Sequence, residues 1–310
     1  MSLNPLSLFR AMPGSIAQGM IWGVMALGVY ITFRLLDFAD LTVDGSIATG
    51  AAVSVMLIRA GVSPIATLPI AFLAGALAGM VTGLLNTALG IPGILASILT
   101  QISLYSINLN IMGKANEPVS VDNYPLVVSL RYVTDGSVSR LLFFLGMIVF
   151  LLALIAVMYW YFGTEQGHAI RATGCNSNMA RAQGINTNFN IVLGLAVSNA
   201  LVALSGALLS QYQGFADVGM GRGAIVIGLA AVIIGEAVFG KFASKRKLAF
   251  AFTLASVILG AVIYYMVYQF VLWLKMPSED MKLFSAIVVA IFLAIPYLKE
   301  KRTLRKGASK

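Results

Sequence analysis

The chain has 310 residues, of which 59% are hydrophobic and only 11% are charged. Its mean hydropathy is +0.89, a balance that excludes a water-soluble globular protein. The formal net charge of +9 comes largely from two short basic clusters, at 241–247 and 299–310. Because Lys and Arg gather in the cytoplasmic loops of membrane proteins, we interpret the clusters as an orientation signal, with contact to membrane lipid as a second use. We expect no nucleic-acid partner.

About nine apolar runs are candidates for membrane-spanning helices, which need roughly 20 residues each. None of them shows the strict apolar–polar alternation of a transmembrane strand. The sequence therefore predicts an all-α polytopic integral membrane protein with about nine transmembrane helices (eight to ten), forming a single domain over 1–310. The runs lie at about 14–33, 45–60, 64–88, 91–112, 141–162, 189–213, 222–239, 248–274 and 282–298.

The second run is short and follows a polar stretch, which predicts a broken or half helix near 41–60. Three aspartates precede this helix or lie at its start: Asp37, Asp40 and Asp44. Because carboxylates near a helix start stabilise free backbone amides, we expect them to cap this helix and to pair with Arg34. The alternative is a carboxylate metal site in a membrane-embedded, metal-dependent enzyme.

The third run carries Gly75, Gly79 and Gly83 on one face, at intervals of four residues. A face of small residues lets another helix approach closely, so we interpret it as a helix-packing surface. The partner helix belongs either to this chain, which is the simpler interpretation, or to a second copy.

Polar side chains recur along one face of the fourth run, at Ser97, Gln101, Tyr105 and Asn108, and the run at 189–213 adds Ser198 and Ser205. A transport path for an uncharged solute needs such hydrogen-bonding groups, whereas a lipid-facing helix avoids them. These residues are therefore our candidates for a translocation path. The alternative is that they only join helices to one another. Ionisable residues within the runs are nearly absent, which disfavours a proton-coupled carrier.

A water-facing loop, 163–187, separates the fifth and sixth runs. Counting helices back from the basic tail 299–310, which we place in the cytoplasm, also places this loop in the cytoplasm. The same count places 113–140 and 214–221 outside. A short helix is expected over 177–183, with Asn176, Ser177 or Asn178 as its cap and Gly184 as its end with positive φ.

No catalytic constellation is visible in the sequence. His168 has no partner at metal-ligand spacing, and Cys175 is the only cysteine. A P-loop-like stretch from Gly235 ends in Phe242, where a Mg²⁺-binding hydroxyl is required. We expect no catalytic residue, no metal site and no cofactor bound by this chain.

Three blocks of sequence follow one another along the chain: Gly19 to Gly28 with Leu36 to Asp40 and Gly45 to Ala51; Arg171 to Gly174 with Ala180 to Asn186; and Gly228 to Gly235. Taken in order, they resemble the permease subunits of ABC importers of the branched-chain amino acid, ribose and nucleoside type. Asp37 stands where that family usually has Asn, and Asp40-Leu-Thr-Val-Asp-Gly is similar to a subgroup associated with tryptophan and tyrosine import.

The resemblance implies the transmembrane permease subunit of an ATP-driven import system in a bacterial inner membrane. A second permease subunit, as a homodimer, would complete the pathway. Separate ATPase subunits would bind ATP and Mg²⁺, and an extracytoplasmic binding lipoprotein would deliver the substrate. An aromatic amino acid is the first substrate expected, followed by a branched-chain amino acid and then by a sugar or nucleoside.

The same resemblance makes loop 163–187 the ATPase-coupling loop. The residues it implicates are Arg171, Gly174, Asn176, Ala180, Arg181 and Gly184. Both arginines could pair with acidic groups of the ATPase, although ordinary placement of positive charge in the cytoplasm would also explain them. Three other functions stay open at this point: an ATP-independent secondary carrier or channel, a membrane-embedded enzyme, and a scaffold or receptor.

Overall fold

The computed structural model describes residues 5–134, 137–243 and 248–274, with five further positions at 283, 286, 287, 290 and 294. Within these residues the chain is almost entirely helical, which confirms the all-α prediction. The elements in chain order are α1 (Pro5–Tyr30) with a π-helical extension (Ile31–Leu35), α2 (Thr42–Arg59), α3 (Pro64–Thr87), α4 (Gly93–Met112), β1 (Asn116–Pro118), α5 (Leu130–Thr134), α6 (Ser137–Phe162), α7 (Glu165–Cys175), α8 (Ser177–Ala182), α9 (Thr187–Gln213), β2 (Phe215–Asp217), α10 (Ala224–Ala243) and α11 (Ala249–Trp273).

Six helices of the described part are long and apolar enough to cross a membrane. They are α1 with its extension, α3, α4, α6, α9 and α11, while the apolar part of α10 is shorter. A multi-pass membrane protein is therefore confirmed. The predicted count of nine is not confirmed, because α2 is not among these apolar helices. The run at 282–298 and the tail 299–310 lie outside the described residues apart from isolated positions.

The helix α9 lies at the centre of the bundle, where α1, α2 and α3 pack against it. The glycine stripe of α3 permits one of these contacts. A Cβ atom at Gly83 would lie 2.7 Å from the Cα atom of Val192, and at Gly75 and Gly79 it would overlap backbone carbonyl groups of α9. The structure thus places the stripe against a helix of the same chain, so it is not a free face for a second copy.

The helix α2 begins inside the bundle and not at one of its ends. After the π-helical extension of α1, the chain turns at Asp37, a non-glycine residue with a φ of 52°. Asp40 then accepts a hydrogen bond of 2.7 Å from Asn199, which lies midway along α9. Asp40 also accepts the N–H of Thr42 at 2.9 Å, giving a free amide at the start of α2 its partner. The expected half helix is therefore an unbroken helix of 18 residues that starts at mid-bundle.

The helix α10 also begins inside the bundle, beside α2. The carboxylate of Asp44 accepts the N–H groups of Gly223 and Ile225, at 2.9 and 3.0 Å. Asp44 therefore caps α10, whereas the sequence predicted a cap on its own helix. The predicted pairing of the aspartates with Arg34 is wrong, because Arg34 forms its ion pair with Glu236 of α10. Both corrections have one cause: the acceptor and donor come together only when α10 packs beside α1 and α2.

The two ends of the bundle differ. At one end β1 pairs antiparallel with β2, and Arg59 at the end of α2 forms an ion pair with Glu117 of β1. The start of α1 lies here too, since the hydroxyl of Tyr212 donates to the carbonyl of Gly14 at 2.9 Å. At the other end lie α7, α8 and the start of α9. We call these the ribbon end and the α7–α8 end.

Candidate functional site

A cavity of about 370 Å³ opens beside the starts of α2 and α10, against the middle of α4. Three of the predicted path residues, Gln101, Tyr105 and Asn108, line it. They share a face because spacings of three and four residues return to the same side of an α-helix. We call this cavity the α4 pocket, and its other lining residues are Asp44, Gly45, Ile102, Val218 and Arg222.

Asn108 is an almost completely buried polar residue of the α4 pocket, at 1% exposure. Its Nδ2 atom donates to the carbonyl of Gly45 at 3.4 Å. Its Oδ1 atom is buried and accepts no hydrogen bond from a described residue. Gln101 and Tyr105, both partly exposed, also have no hydrogen bond to the described part of the chain. Because an orphaned buried acceptor costs free energy, Asn108 favours a ligand that can donate a hydrogen bond there.

The charged groups of the α4 pocket are Asp44, already bound to the start of α10, and Arg222. Arg222 is exposed and forms no ion pair with any residue that the structure describes. Two glycines fix the backbone on either side of Arg222. Gly221 packs on the backbone of Asp44 so closely that no side chain fits, and Gly223 has a φ of 85°. Sequence reasoning missed both charges as path residues, although the alternating glycines around Arg222 marked a tight turn.

The predicted serines lie outside the α4 pocket. Ser198 and Ser205 are buried between α9 and α1, and each donates at 2.8 Å to a carbonyl of α1, those of Gly28 and Ile21 respectively. Ser97 is also buried and donates to a carbonyl of its own helix at 2.9 Å. The structure therefore does not bring the serines together with the other path candidates. Ser198 and Ser205 join two helices, as in the alternative interpretation.

The short helix expected in loop 163–187 is α8. Of the three capping candidates, Asn176 is the one used, since its Oδ1 accepts the N–H of Met179 at 3.0 Å. Gly184 follows the helix with a φ of 82°, a conformation that glycine adopts without strain. Ala180 is buried against the rest of the chain. The helix ends at Ala182, one residue before the predicted end.

The helix α7 was not predicted, because its segment is polar and its two glycines lower helix propensity. Thr164 caps it, with its Oγ1 accepting the N–H of Gly167 at 3.3 Å. Both glycines serve close contacts. A Cβ atom at Gly174 would overlap the carbonyl of Leu35, and one at Gly167 would overlap the backbone at the end of α6. As a result, α7 packs directly on the end of α1.

Both predicted arginines of the loop already have partners within the chain. The guanidinium of Arg171 lies 5.1 Å from the ring centre of Phe250, and Arg181 donates to Oγ1 of Thr187 at 3.0 Å. Both side chains nevertheless remain exposed. The residue that sequence reasoning missed is Met179, an apolar side chain of α8 that is 64% exposed.

The carboxylates do not converge on one point. Asp40 and Asp44 serve as caps of two different helices, and Asp37 is exposed in the turn between α1 and α2. Within the described residues, no group of three or more His, Cys, Asp or Glu side chains is arranged to hold a metal ion. The geometry therefore supports the capping interpretation over a metal centre.

Similarity to known proteins extends over nearly the whole chain. Residues 12–296 match the permease component of branched-chain amino acid transport systems. The chain belongs to this permease family. The permease is 38% identical, over 279 residues, to a tyrosine transport system permease of Clostridioides difficile (strain R20291), which covers 90% of this chain and 89% of the relative.

Two further relatives are also transport permeases. An autoinducer 2 import system permease of Yersinia pseudotuberculosis (serotype O:3, strain YPIII) is 30% identical over 216 residues, 68% of this chain and 58% of the relative. An inner membrane ABC transporter permease of Escherichia coli (strain K12) is 26% identical over 215 residues, 69% of this chain and 63% of the relative. No solved structure matches the permease significantly.

Family membership confirms the resemblance found in the sequence and makes the chain a transport subunit of an ABC system, not an enzyme. Permeases of such systems work with ATPase subunits and with substrate-binding proteins. Both kinds of partner therefore apply to this permease.

Proposed function

We propose that this permease is the membrane subunit of an ATP-driven importer of an amino acid. An aromatic amino acid such as tyrosine is the first candidate, and a branched-chain amino acid is the second. The observation that carries the proposal is the 38% identity to a tyrosine transport system permease, which extends over 90% of this chain. The polar lining of the α4 pocket supports a small hydrogen-bonding solute.

Loop 163–187 is the proposed docking site for the ATPase. Its helix α8 is capped at both ends and presents Met179, whose apolar side chain would be removed from water in a groove of the partner. ATP and Mg²⁺ would be bound by the ATPase, so this chain would need no cofactor of its own.

The packing of α7 supports a mechanical link from this loop to the α4 pocket. At one end of the link, Gly174 of α7 lies against the carbonyl of Leu35. The chain then passes through the turn at Asp37 to Asp40, whose hydrogen bond to Asn199 fixes the start of α2 at mid-bundle. A displacement of α7 would therefore move the start of α2, which borders the α4 pocket. Through these contacts, ATP-driven closure of the ATPase subunits would change the shape of the α4 pocket.

We also propose that the permease works as a homodimer in a bacterial inner membrane. A single permease domain over 1–310 would place 163–187 and the tail 299–310 in the cytoplasm and the ribbon end outside, where a binding lipoprotein would dock. Large apolar surfaces of α3, α4 and α6 support contact with lipid or a second copy, since only 33%, 28% and 28% of their most apolar segments are buried within the chain.

The test of transport is uptake of labelled tyrosine into proteoliposomes that contain the permease, its ATPase and its binding lipoprotein. We expect uptake that requires ATP and is reduced by excess unlabelled phenylalanine or leucine but not by ribose. Uptake by the permease alone, without ATPase or ATP, would establish an ATP-independent carrier and overturn the proposal. A complex that takes up ribose and no amino acid would overturn the substrate assignment.

The test of docking is co-purification of the ATPase with Met179→Glu. A carboxylate at this position would have to be desolvated in the groove, so we expect most of the ATPase to be lost. Met179→Leu keeps the apolar volume and should retain it. Leu89→Glu is the positional control, because Leu89 is 68% exposed in the turn between α3 and α4. Equal ATPase recovery from all of these variants would contradict docking through α8.

A further inference from the structure

The α4 pocket contains a cation and an acceptor that both lack a partner among the described residues. The cation is the guanidinium of Arg222, and the acceptor is the buried Oδ1 of Asn108. A guanidinium is matched by a carboxylate, which it binds through two parallel hydrogen bonds. A buried amide oxygen is matched by an N–H or O–H donor. One molecule that carries a carboxylate and a donor close together would satisfy both groups.

We infer that the α4 pocket is the substrate-recognition site of this permease and that it takes a free α-amino acid as its zwitterion. The carboxylate binds Arg222, and the ammonium group donates to Oδ1 of Asn108, an atom that the chain covers in this structure and that the substrate reaches by displacing the side chains over it. This inference rests on the proposed function and assigns the residues that would recognise its substrate. A sugar or a nucleoside has no carboxylate to offer the guanidinium of Arg222, so the pocket favours an amino acid over both.

The hydrogen bonds that Asp44 already accepts explain why the carboxylate of the substrate binds to Arg222. The free amides at a helix start attract anions, and the start of α10 borders the pocket. Asp44 already occupies the amides of Gly223 and Ile225, which removes them as a competing anion site. Arg222 is thus the cation left for a carboxylate, and the tight turn between Gly221 and Gly223 keeps it at the pocket.

The size and position of the pocket fit this role. Its volume of about 370 Å³ lies within the range of roughly 300–1,000 Å³ that is usual for small-molecule sites. The ring of Tyr105 and the amide of Gln101 lie on the more open side, where they can contact an aromatic or polar side chain. The pocket lies at two helix starts midway along the bundle, where membrane transporters commonly bind their substrates.

The experiment measures binding of tritiated tyrosine to the permease–ATPase complex in nanodiscs, without the binding lipoprotein. The variants are Arg222→Gln and Asn108→Leu. The matched control is Asn110→Leu, because Asn110 lies on the same helix, is exposed and does not line the pocket. Tyramine, which lacks the carboxylate, and 3-(4-hydroxyphenyl)propanoate, which lacks the ammonium group, serve as competitors.

We expect each pocket variant to weaken tyrosine binding roughly tenfold to a hundredfold, the usual effect of losing a hydrogen bond to a charged group. Arg222→Gln should leave the weak affinity for tyramine unchanged, and Asn108→Leu should leave that for the propanoate unchanged. This selectivity distinguishes loss of a ligand contact from general misfolding. Asn110→Leu should bind tyrosine as the parent does.

Two results would overturn the inference. One is a parent complex that transports an amino acid but shows no saturable binding of it at millimolar concentration. The other is a pair of pocket variants that bind like Asn110→Leu, or that lose both analogues equally. In either case uptake by the complete system would still support the proposed function. Failure of the parent system to transport any amino acid would instead remove the proposed function itself.

Discussion

The cap that Asp44 provides to α10 gives a prediction whose size follows from the structure. Asp44→Ala removes the acceptors of two backbone N–H groups, those of Gly223 and Ile225. An unsatisfied buried donor costs about 1–3 kcal/mol, and loss of a charge near a helix start costs about 0.3–1 kcal/mol more. Because Gly223 is exposed and Ile225 is partly exposed, water can replace part of the loss. We expect a destabilisation of about 2 kcal/mol, near the middle of the range for loss of such a cap and its charge.

The assay measures the apparent melting temperature of the detergent-solubilised chain. Tagged protein is heated to a series of temperatures, and the folded fraction that remains is measured by size-exclusion chromatography. We expect Asp44→Ala to melt at least about 3 °C below the parent. Asp44→Asn, which keeps one acceptor oxygen, should fall between the two. The reference is Asp37→Asn, because Asp37 is exposed and Asn tolerates the positive φ found there. If Asp44→Ala and Asp37→Asn melt together, Asp44 does not fix the start of α10 and the reasoning is refuted.

Three further predictions concern packing and charge. Gly79→Leu should abolish recovery of folded chain on size-exclusion chromatography, because the new side chain would overlap the backbone of α9. The control Gly146→Leu should fold, because a Cβ atom at Gly146 would meet no neighbouring element of the described chain within 4 Å. Gly174→Leu should separate α7 from the end of α1, so that the ATPase still co-purifies but ATP-dependent uptake falls at least about tenfold; equal uptake would contradict the link through α7. Arg34→Gln should change the free energy of unfolding by no more than about 1 kcal/mol, because both side chains of the ion pair with Glu236 are partly exposed to solvent; a larger loss in thermal melting would contradict this.

Features that depend on neighbouring residues were predictable from the sequence. Asn176 and Gly184 delimit α8 through bonds and backbone angles that lie within the segment itself. The shared face of Gln101, Tyr105 and Asn108 also follows from helix geometry alone, whatever the helix contacts. The apolar runs predicted the membrane helices because the bilayer imposes one length and one composition on every span.

Features that depend on distant contacts were not predictable in the same way. The sequence does not show whether a serine within a helix faces a transport path or the backbone of a neighbouring helix. Only the position of α1 in the structure shows that Ser198 and Ser205 donate hydrogen bonds to its carbonyls. The polar segment of α7 gave no apolar signal, because its stability comes from contacts of Gly167 and Gly174 with the ends of other helices. The ion pair between Arg34 and Glu236 likewise forms only because α10 packs beside α1.

The sequence by itself determined that this protein is an all-α membrane protein, because apolar length is a local property of the chain, and its three ordered blocks carried the resemblance to the permease family. Only the tertiary structure decided which polar residues form a pocket. Asp44 lies in α2 and Arg222 lies just before α10, so more than half of the chain separates them in sequence. They line the same pocket as Asn108 because α2 and α10 start at the same level inside the bundle. Such a meeting follows from helix packing, in which the close approach of Gly221 to the backbone of Asp44 sets the register.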